Sequence, residues 1–246
     1  MRLIGGQARH NTGVIEPDFV PIPSGPIAVR RPAVTFKVRR RALSPARQAE
    51  LDRWMSACGV DETGDVIDWE QLFGRHVDVF LDIGFGHGES VVSMAAADRT
   101  TGVVGIEVHT PGVATMLHAA GVAELDNVRV VHGDTLSFID RIGPATLSGI
   151  RIFFPDPWPK VRQHHRRIVS HDVVNALTDR LQIGGTLHLA TDIADYATVM
   201  QRVCGAEARL SGGVIDRPSW RPLTRFEQRG LDDGRAAVDL LYCRTS

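Results

Sequence analysis

The stretch Leu81-Asp82-Ile83-Gly84-Phe85-Gly86-His87-Gly88-Glu89 decides the fold of this chain of 246 residues. An apolar run at 77–83 leads into it, and a helical pattern at 89–97 follows it. Glycines between a strand and a helix allow positive φ and a close approach of the backbone to a ligand. Their spacing, G-x-G-x-G, differs from the G-x-G-x-x-G of dinucleotide-binding turns. The stretch predicts an α/β sheet with a small-molecule site at the end of its first strand.

Strands and helices alternate along the rest of the chain. A first helix is expected to begin at Pro45, with Ser44 as its N-cap. We expect strands at 77–83, 103–108, 128–131, 149–154, 186–191 and 236–242, and helices at 89–97, 113–120, 136–142, 172–181 and 193–204. Gly184-Gly185 is expected to end the helix at 172–181. The pattern predicts the α/β class, with a doubly wound, mostly parallel Rossmann-like sheet and an antiparallel C-terminal strand.

The N-terminal region differs in composition from the remainder. Residues 1–34 are rich in proline and glycine, have no sustained periodicity and predict a flexible tail. Thr35 to Arg41 is strongly basic. We therefore expect one domain at 35–246 that begins with a basic arm.

Positive charge is concentrated in two places, although the formal net charge is only -1. Residues 1–47 carry nine Lys and Arg against two acids, and residues 151–167 carry five against one. The second range contains a loop with one acid, Asp156, and one flat aromatic, Trp158, and four of its five cations directly follow that loop. A solvated basic face is the commoner origin of such a run, but two separate clusters, one of which adjoins an acid and an aromatic ring, favour a nucleic-acid partner.

Several classes of protein are disfavoured. No apolar run approaches the ~20 residues of a membrane helix, and the N-terminus has no signal-peptide pattern. Cys58, Cys204 and Cys243 lie far apart, and no cluster has metal-ligand spacing. We expect a cytoplasmic protein with reduced thiols, no membrane association and no metal.

Three acids follow or end consecutive strands: Asp82 in the glycine loop, Glu107 after the second strand and Asp134 after the third. Together they would repel a phosphate-rich cofactor, but they suit S-adenosylmethionine, which has a sulfonium, an ammonium, two ribose hydroxyls and an adenine amine. Glu107 would accept hydrogen bonds from the ribose hydroxyls, Asp134 from the adenine amine, and Asp82 would lie nearest the methionine end. Each acid alone is more often a solvated loop carboxylate, so the prediction depends on their coincidence.

Six short motifs resemble a known family. They are Asp82-Ile83-Gly84-Phe85-Gly86, Gly105-Ile106-Glu107-Val108-His109, Phe153-Phe154-Pro155-Asp156-Pro157-Trp158, Arg166-Arg167, Ala190-Thr191-Asp192 and Thr224-Arg225-Phe226-Glu227. In this order, from about Phe36 to Tyr242, the chain resembles bacterial tRNA (guanine-N7-)-methyltransferases. The resemblance implies a class I methyltransferase fold, and methylation of N7 of the variable-loop guanine, position 46, of tRNA.

The resemblance also implies roles for individual residues. The donor site would comprise Asp82, Gly84, Gly86, Gly88, Glu107, Asp134 and Asp156, with Asp156 as the catalytic acid. Substrate-binding positions would be Lys160, Asp192, Thr224, Arg225, Phe226 and Glu227. RNA contacts would come from Arg162, Gln163, His164, His165, Arg166 and Arg167. The family often has Glu where Asp82 stands.

Other interpretations stay open from the sequence. Trp158 could stack on a flipped base or anchor its loop in the core. The enzyme could methylate another RNA or a small molecule, or the sheet could belong to a nicotinamide-dependent oxidoreductase or to a non-catalytic RNA-binding protein. Both a monomer and a homodimer are compatible with the sequence.

Overall fold

The computed structural model describes residues 43–246, in which seven strands form one sheet. The strands are β1 (Val79–Ile83), β2 (Gly102–Glu107), β3 (Val128–His132), β4 (Leu147–Phe153), β5 (Leu181–Thr191), β6 (Leu210–Ile215) and β7 (Val238–Arg244). The helices are α1 (Pro45–Cys58), α2 (Trp69–Phe73), α3 (Glu89–Ala97), α4 (Thr110–Val122), α5 (Thr135–Phe138), α6 (His171–Arg180), α7 (Ala194–Gly205) and α8 (Arg225–Asp232). Two 3-10 helices cover Ile139–Arg141 and Val161–Arg166. The predicted tail at 1–34 and basic arm at 35–41 lie outside the described residues.

The sheet has the strand order β3-β2-β1-β4-β5-β7-β6. Strands β1 to β5 pair in parallel, and β7 runs antiparallel to both of its neighbours, β5 and β6. This confirms the predicted mostly parallel sheet with an antiparallel C-terminal strand. The order reverses between β1 and β4, which is where open α/β sheets bind ligands.

Alternation of side chains along β1 shows why the sheet has helices on both faces. Val79, Leu81 and Ile83 are buried in a core that also contains apolar residues of α6 and α7. A second core, on α1, α3 and α4, packs against β2 and β3 through Val103 and Val130. Successive side chains of a strand point to opposite faces, so Asp82 points away from the first core.

Two expectations about where helices lie or end are wrong. Helix α6 ends at Arg180, and Gly184-Gly185 lies within β5 instead of ending the helix. Gly184 has a φ of 84°, so this glycine pair forms an irregular part of a strand. The helix expected at 136–142 is instead one turn of α5 followed by a 3-10 turn. Ser44 does cap α1, because its side chain accepts a hydrogen bond from the Arg47 N–H at 3.4 Å.

Candidate active site

A cavity of about 300 Å³ opens at the carboxyl ends of the central strands. This volume is at the lower end of the range for small-molecule sites. Among the residues singled out from the sequence, the cavity is lined by Asp82, Gly84, Gly86, Gly88, Glu107, Asp134, Asp156, Thr224, Arg225 and Phe226. The fold thus brings together side chains that are up to 144 positions apart in the sequence, from Asp82 to Phe226.

The glycine loop between β1 and α3 requires glycine at its three positions. Gly84, Gly86 and Gly88 have φ values of 70°, 62° and 77°, which L-residues with a side chain adopt rarely. A Cβ at Gly88 would also come within 2.0 Å of the Met116 side chain. The loop is therefore fixed by sterics as well as by backbone conformation.

Glu107, the last residue of β2, ties the glycine loop to the sheet. Its Oε2 accepts a hydrogen bond from the Gly86 N–H at 2.7 Å, and its Oε1 accepts from Val108 and His109 at 2.8 and 2.9 Å. A carboxylate has about four acceptor positions, so three are used within the protein. The side chain is buried, and its orientation in the cavity is fixed.

Asp134 is positioned by the helix that it begins. It is the N-cap of α5, and its Oδ1 accepts a hydrogen bond from the Leu136 N–H at 3.4 Å. This side-chain capping holds the carboxylate at the end of β3, beside Gly133, which also lines the cavity.

Asp82 lies within β1 and not in the glycine loop, where the sequence interpretation put it. It is only 3% exposed, and its Oδ2 accepts a hydrogen bond from Arg151 Nη1 at 3.2 Å. Burial raises the pKa of the Asp82 carboxyl, and the guanidinium of Arg151 opposes that increase. Arg151, which sequence reasoning missed, also lines the cavity.

Asp156 is exposed on the loop that follows β4, and it lines the same cavity as the three other acids. The loop is shaped by two non-glycine residues with positive φ, Phe154 at 51° and Trp158 at 44°. Trp158 is 3% exposed, and the guanidinium carbon of Arg166 lies 3.7 Å from its ring centroid. The tryptophan therefore anchors the loop, which is one of the two roles considered for it.

The basic segment after this loop divides into exposed and buried side chains. Lys160, Arg162 and His165 are exposed, whereas Gln163, His164 and Arg166 are partly buried in or beside the 3-10 helix Val161–Arg166. Arg167 is 4% exposed and donates hydrogen bonds to the Pro157 carbonyl at 2.8 Å and to Asp195 at 2.7 Å. Arg167 thus holds the Asp156 loop against α7, a position that leaves little surface for RNA.

The N-terminus of α8 closes one side of the cavity. Thr224 caps the helix by accepting a hydrogen bond from the Glu227 N–H at 3.2 Å. Arg225 forms an ion pair with Glu89 at 2.6 Å, which joins α8 to the first turn of α3. Phe226 is 55% exposed and lies above the glycine loop, 3.5 Å from where a Cβ of Gly86 would be.

Glu227 faces the protein interior. Its two carboxylate oxygens accept hydrogen bonds from Arg221 Nη1 at 2.7 Å and Nη2 at 2.8 Å. Arg221 Nη2 also donates a hydrogen bond to Asp239 Oδ2 of β7 at 2.8 Å, and Asp239 Oδ1 contacts His188 Nε2 of β5 at 2.8 Å. In the same region Asp192 accepts a hydrogen bond from Arg235 at 2.8 Å. Glu227 and Asp192, expected to bind substrate, are thus engaged in contacts that hold α8 in place.

One signal in the sequence marks the residues that were missed. Arg151, His188 and Asp239 are charged or ionisable side chains inside otherwise apolar predicted strands. Such residues are rarely buried without a partner. Their presence indicated partners on neighbouring strands, but the register needed to identify those partners is not local information.

The described residues also lack two features of other protein classes. Within residues 43–246 no helix combines the length and the apolar character needed to span a membrane. In the same residues no group of three His, Cys, Asp or Glu side chains is arranged to hold a metal ion.

Solved structures with a similar fold are methyltransferases of low sequence identity. The 16S rRNA methyltransferase KamB aligns with a TM-score of 0.51 and 15% identity, over 74% of this chain and 96% of that one. A 30S ribosomal A1408 methyltransferase from an uncultured bacterium aligns with a TM-score of 0.50 and 13% identity, over 76% and 99% of the two chains. These likenesses confirm the class I methyltransferase fold.

Sequence similarity identifies a narrower group of methyltransferases than the shared fold does. Residues 76–240 match the family described as "Putative methyltransferase". The tRNA (guanine-N(7)-)-methyltransferase of Streptomyces avermitilis is 38% identical over 97% of this chain and 86% of its own length. Those of Halorhodospira halophila and Thiobacillus denitrificans are 44% and 45% identical, over 85% and 73% of this chain and 93% and 81% of their own. The chain belongs to the tRNA (guanine-N(7)-)-methyltransferase family.

Proposed function

We propose that this protein transfers a methyl group from S-adenosylmethionine to N7 of a guanine in tRNA, and that the target is the variable-loop guanine at position 46. One observation carries the proposal. Asp156, from the Phe-Phe-Pro-Asp-Pro-Trp loop, lines the same cavity as Asp82, Glu107 and Asp134. The family relationship and the lining of this cavity both support the proposal.

The donor set of the cavity fits S-adenosylmethionine by its charge. S-adenosylmethionine supplies a methyl group activated by a sulfonium. Asp82 and Glu107 are buried carboxylates, and Asp134 lies at the end of the adjoining strand. Glu107 would accept from one ribose hydroxyl with its remaining acceptor position, Asp134 from the adenine amine, and Asp82 from the α-ammonium. Pyrophosphate, as in NAD, would meet several carboxylates at close range, which disfavours the nicotinamide alternative.

Guanine N7 has an in-plane lone pair and no proton, so its attack needs no general base. The task of the protein is to align the base and to stabilise the positive charge that develops on it. Asp156 lines the cavity, and its carboxylate would stabilise this charge once bound tRNA excludes water from it. Phe226, which is exposed and also lines the cavity, offers a ring on which an unstacked base can lie.

The exposed cations after the Asp156 loop would bind the tRNA backbone. Lys160 and Arg162 are exposed and directly follow that loop. Contacts of this kind position a nucleic acid without reading its sequence. Arg167 has a structural role in this proposal because it is buried. A cytoplasmic location and a monomeric or homodimeric enzyme remain predictions.

A comparison of methyl acceptors tests the proposal. Purified protein is incubated with radiolabelled S-adenosylmethionine and with tRNA, a ribosomal RNA fragment or free guanosine. We expect label in tRNA and little in the other two acceptors. Label in guanosine at a comparable rate would contradict the RNA part of the proposal. Thermal stabilisation by NAD, without stabilisation by S-adenosylmethionine, would contradict the choice of donor.

A further inference from the structure

Arg151 and Asp82 form a buried ion pair between two central strands. The parallel register of β1 and β4 places the two residues directly beside each other. Arg151 Nη1 donates to Asp82 Oδ2 at 3.2 Å, and the side chains are 12% and 5% exposed. Both residues line the cavity. The pair therefore lies between the interior of the sheet and the space that a ligand would fill.

Two aromatic rings hold the guanidinium of Arg151. Its central carbon lies 4.4 Å from the ring centroid of Phe80 and 5.7 Å from that of Trp220. Phe80 precedes Asp82 by two positions and so lies on the same face of β1. Contacts between a guanidinium and ring faces are favourable and restrict the side chain. Arg151 is thus held in place independently of Asp82.

The other charged groups near Asp82 have partners of their own. His188, beside Arg151 in the register of β4 and β5, contacts Asp239 at 2.8 Å. Glu107 accepts three backbone N–H groups, and at the mouth of the cavity Glu89 and Arg225 pair with each other. The position of β2 that adjoins Asp82 is Gly105, which has no side chain. Arg151 is therefore the cation that directly compensates the Asp82 carboxylate.

We propose that Arg151 is a positioning residue for the methyl donor, which acts by holding the Asp82 carboxylate charged and oriented toward the donor's α-ammonium. Arg151 binds one carboxylate oxygen, Oδ2, and the other, Oδ1, is assigned to the ammonium. A buried carboxyl without a cation becomes neutral, and a neutral acid loses its attraction for an ammonium. Arg151 has this role only if S-adenosylmethionine is the donor, as proposed above.

Calorimetric titration with S-adenosylhomocysteine between pH 5.5 and 9 tests this role without any turnover. In Arg151→Gln the pH at which binding weakens should rise by about one unit or more, because an adjacent cation lowers the pKa of an Asp by 1–3 units. Affinity should be about tenfold lower than in the unaltered protein at acidic pH and should converge with it at alkaline pH. Arg151→Lys, which keeps a charge, should retain most of the original pH profile.

Three further proteins separate positioning from other roles. Asp82→Asn should bind weakly at every pH, and adding Arg151→Gln to it should change affinity less than about twofold, because the two residues act as one unit. Arg129→Gln is the matched control, since Arg129 is also a strand arginine stacked on a phenylalanine, 4.8 Å from the Phe73 ring centroid, but does not line the cavity. Its binding profile should equal that of the unaltered protein.

Several results would overturn the inference. An unchanged pH profile in Arg151→Gln would show that Asp82 does not depend on Arg151. An equal loss of affinity at all pH values, or additive effects in the double variant, would show instead that Arg151 contacts the ligand itself or only supports the fold. Failure of the unaltered protein to bind S-adenosylhomocysteine at any pH is a different result, because it would contradict the proposed function.

Discussion

Arg221 and Glu227 form a two-point ion pair in the protein interior, with N···O distances of 2.7 and 2.8 Å and side-chain exposures of 0% and 4%. Glu227 is also the third residue of the helix capped by Thr224. The pair therefore fixes the start of α8, and with it the positions of Arg225 and Phe226 at the cavity. A motif expected to touch substrate contains one residue, Glu227, whose contacts are within the protein.

Glu227→Gln should lower the free energy of unfolding by about 3–5 kcal/mol, because it leaves the buried Arg221 charge without full compensation. Urea unfolding followed by circular dichroism measures this change. Arg229 lies on the same helix and is exposed. Arg229→Ala should change the free energy of unfolding by less than about 0.5 kcal/mol. Equal effects of the two substitutions would show that the buried pair has no special role.

Asp156→Asn should reduce the rate of methyl transfer to tRNA by about 100-fold or more, since it removes a charge that stabilises the developing cation. Affinity for S-adenosylhomocysteine should fall much less, because Asp82, Glu107 and Asp134 are unchanged. Single-turnover kinetics and calorimetry measure the two effects separately. Asp172 is exposed at the start of α6, so Asp172→Asn serves as the control and should have normal activity. Normal turnover in Asp156→Asn would remove this residue from the mechanism.

Arg162 and Arg167, both expected from the sequence to bind RNA, should now behave differently. Arg162→Gln, at an exposed position, should weaken tRNA binding and lower the slope of log affinity against log salt by about 1. Arg167→Gln should instead lower the melting temperature, because the bonds to Pro157 and Asp195 are lost. Filter binding at several salt concentrations and thermal unfolding distinguish these outcomes. A lower salt slope in folded Arg167→Gln would mean that Arg167 reaches a phosphate after all.

Glu207 should contribute to stability in a manner that depends on pH. Hydrogen bonds from Arg209 lower the pKa of Glu207 to about 2, below the ~4.3 of an unperturbed Glu. Because the pKa is depressed in the folded state, the contribution is complete above about pH 5 and is lost as the pH falls toward 2. The unfolding free energies of the unaltered protein and Glu207→Gln should differ at pH 7 and converge near pH 2. A constant difference over this range would contradict the prediction.

The part of the fold near the glycine loop was predictable because its signals are local. Gly84, Gly86 and Gly88 lie between an apolar strand and a helical pattern, and each has the positive φ that glycine permits. Edge strand β6, Leu-Ser-Gly-Gly-Val-Ile, was missed, since two of its six residues are glycines and only one of its residues is buried. Its existence depends on pairing with β7, which follows it by more than twenty residues.

The cavity was predictable to a similar extent. Asp82, Glu107 and Asp134 could be brought together because parallel strands end at one edge of a sheet. The partners of buried charges could not be predicted, because they depend on the register between strands. Arg151 reaches Asp82 only through the pairing of β1 with β4. The Thr-Arg-Phe-Glu motif contains a helix N-cap, Thr224, as well as cavity residues, and only the packing of Glu227 against Arg221 shows which side chain has which task.

Mass-spectrometric mapping of tRNA is the most direct test of the central claim. The purified protein is incubated with unmodified tRNA and S-adenosylmethionine that carries a ¹³C-methyl group, and the RNA is then cleaved and analysed by position. We predict a single labelled 7-methylguanine at position 46 with the unaltered protein, and almost none with Asp156→Asn. Folded protein that leaves this guanine unlabelled, or that places the label on another atom or nucleotide, would contradict the account.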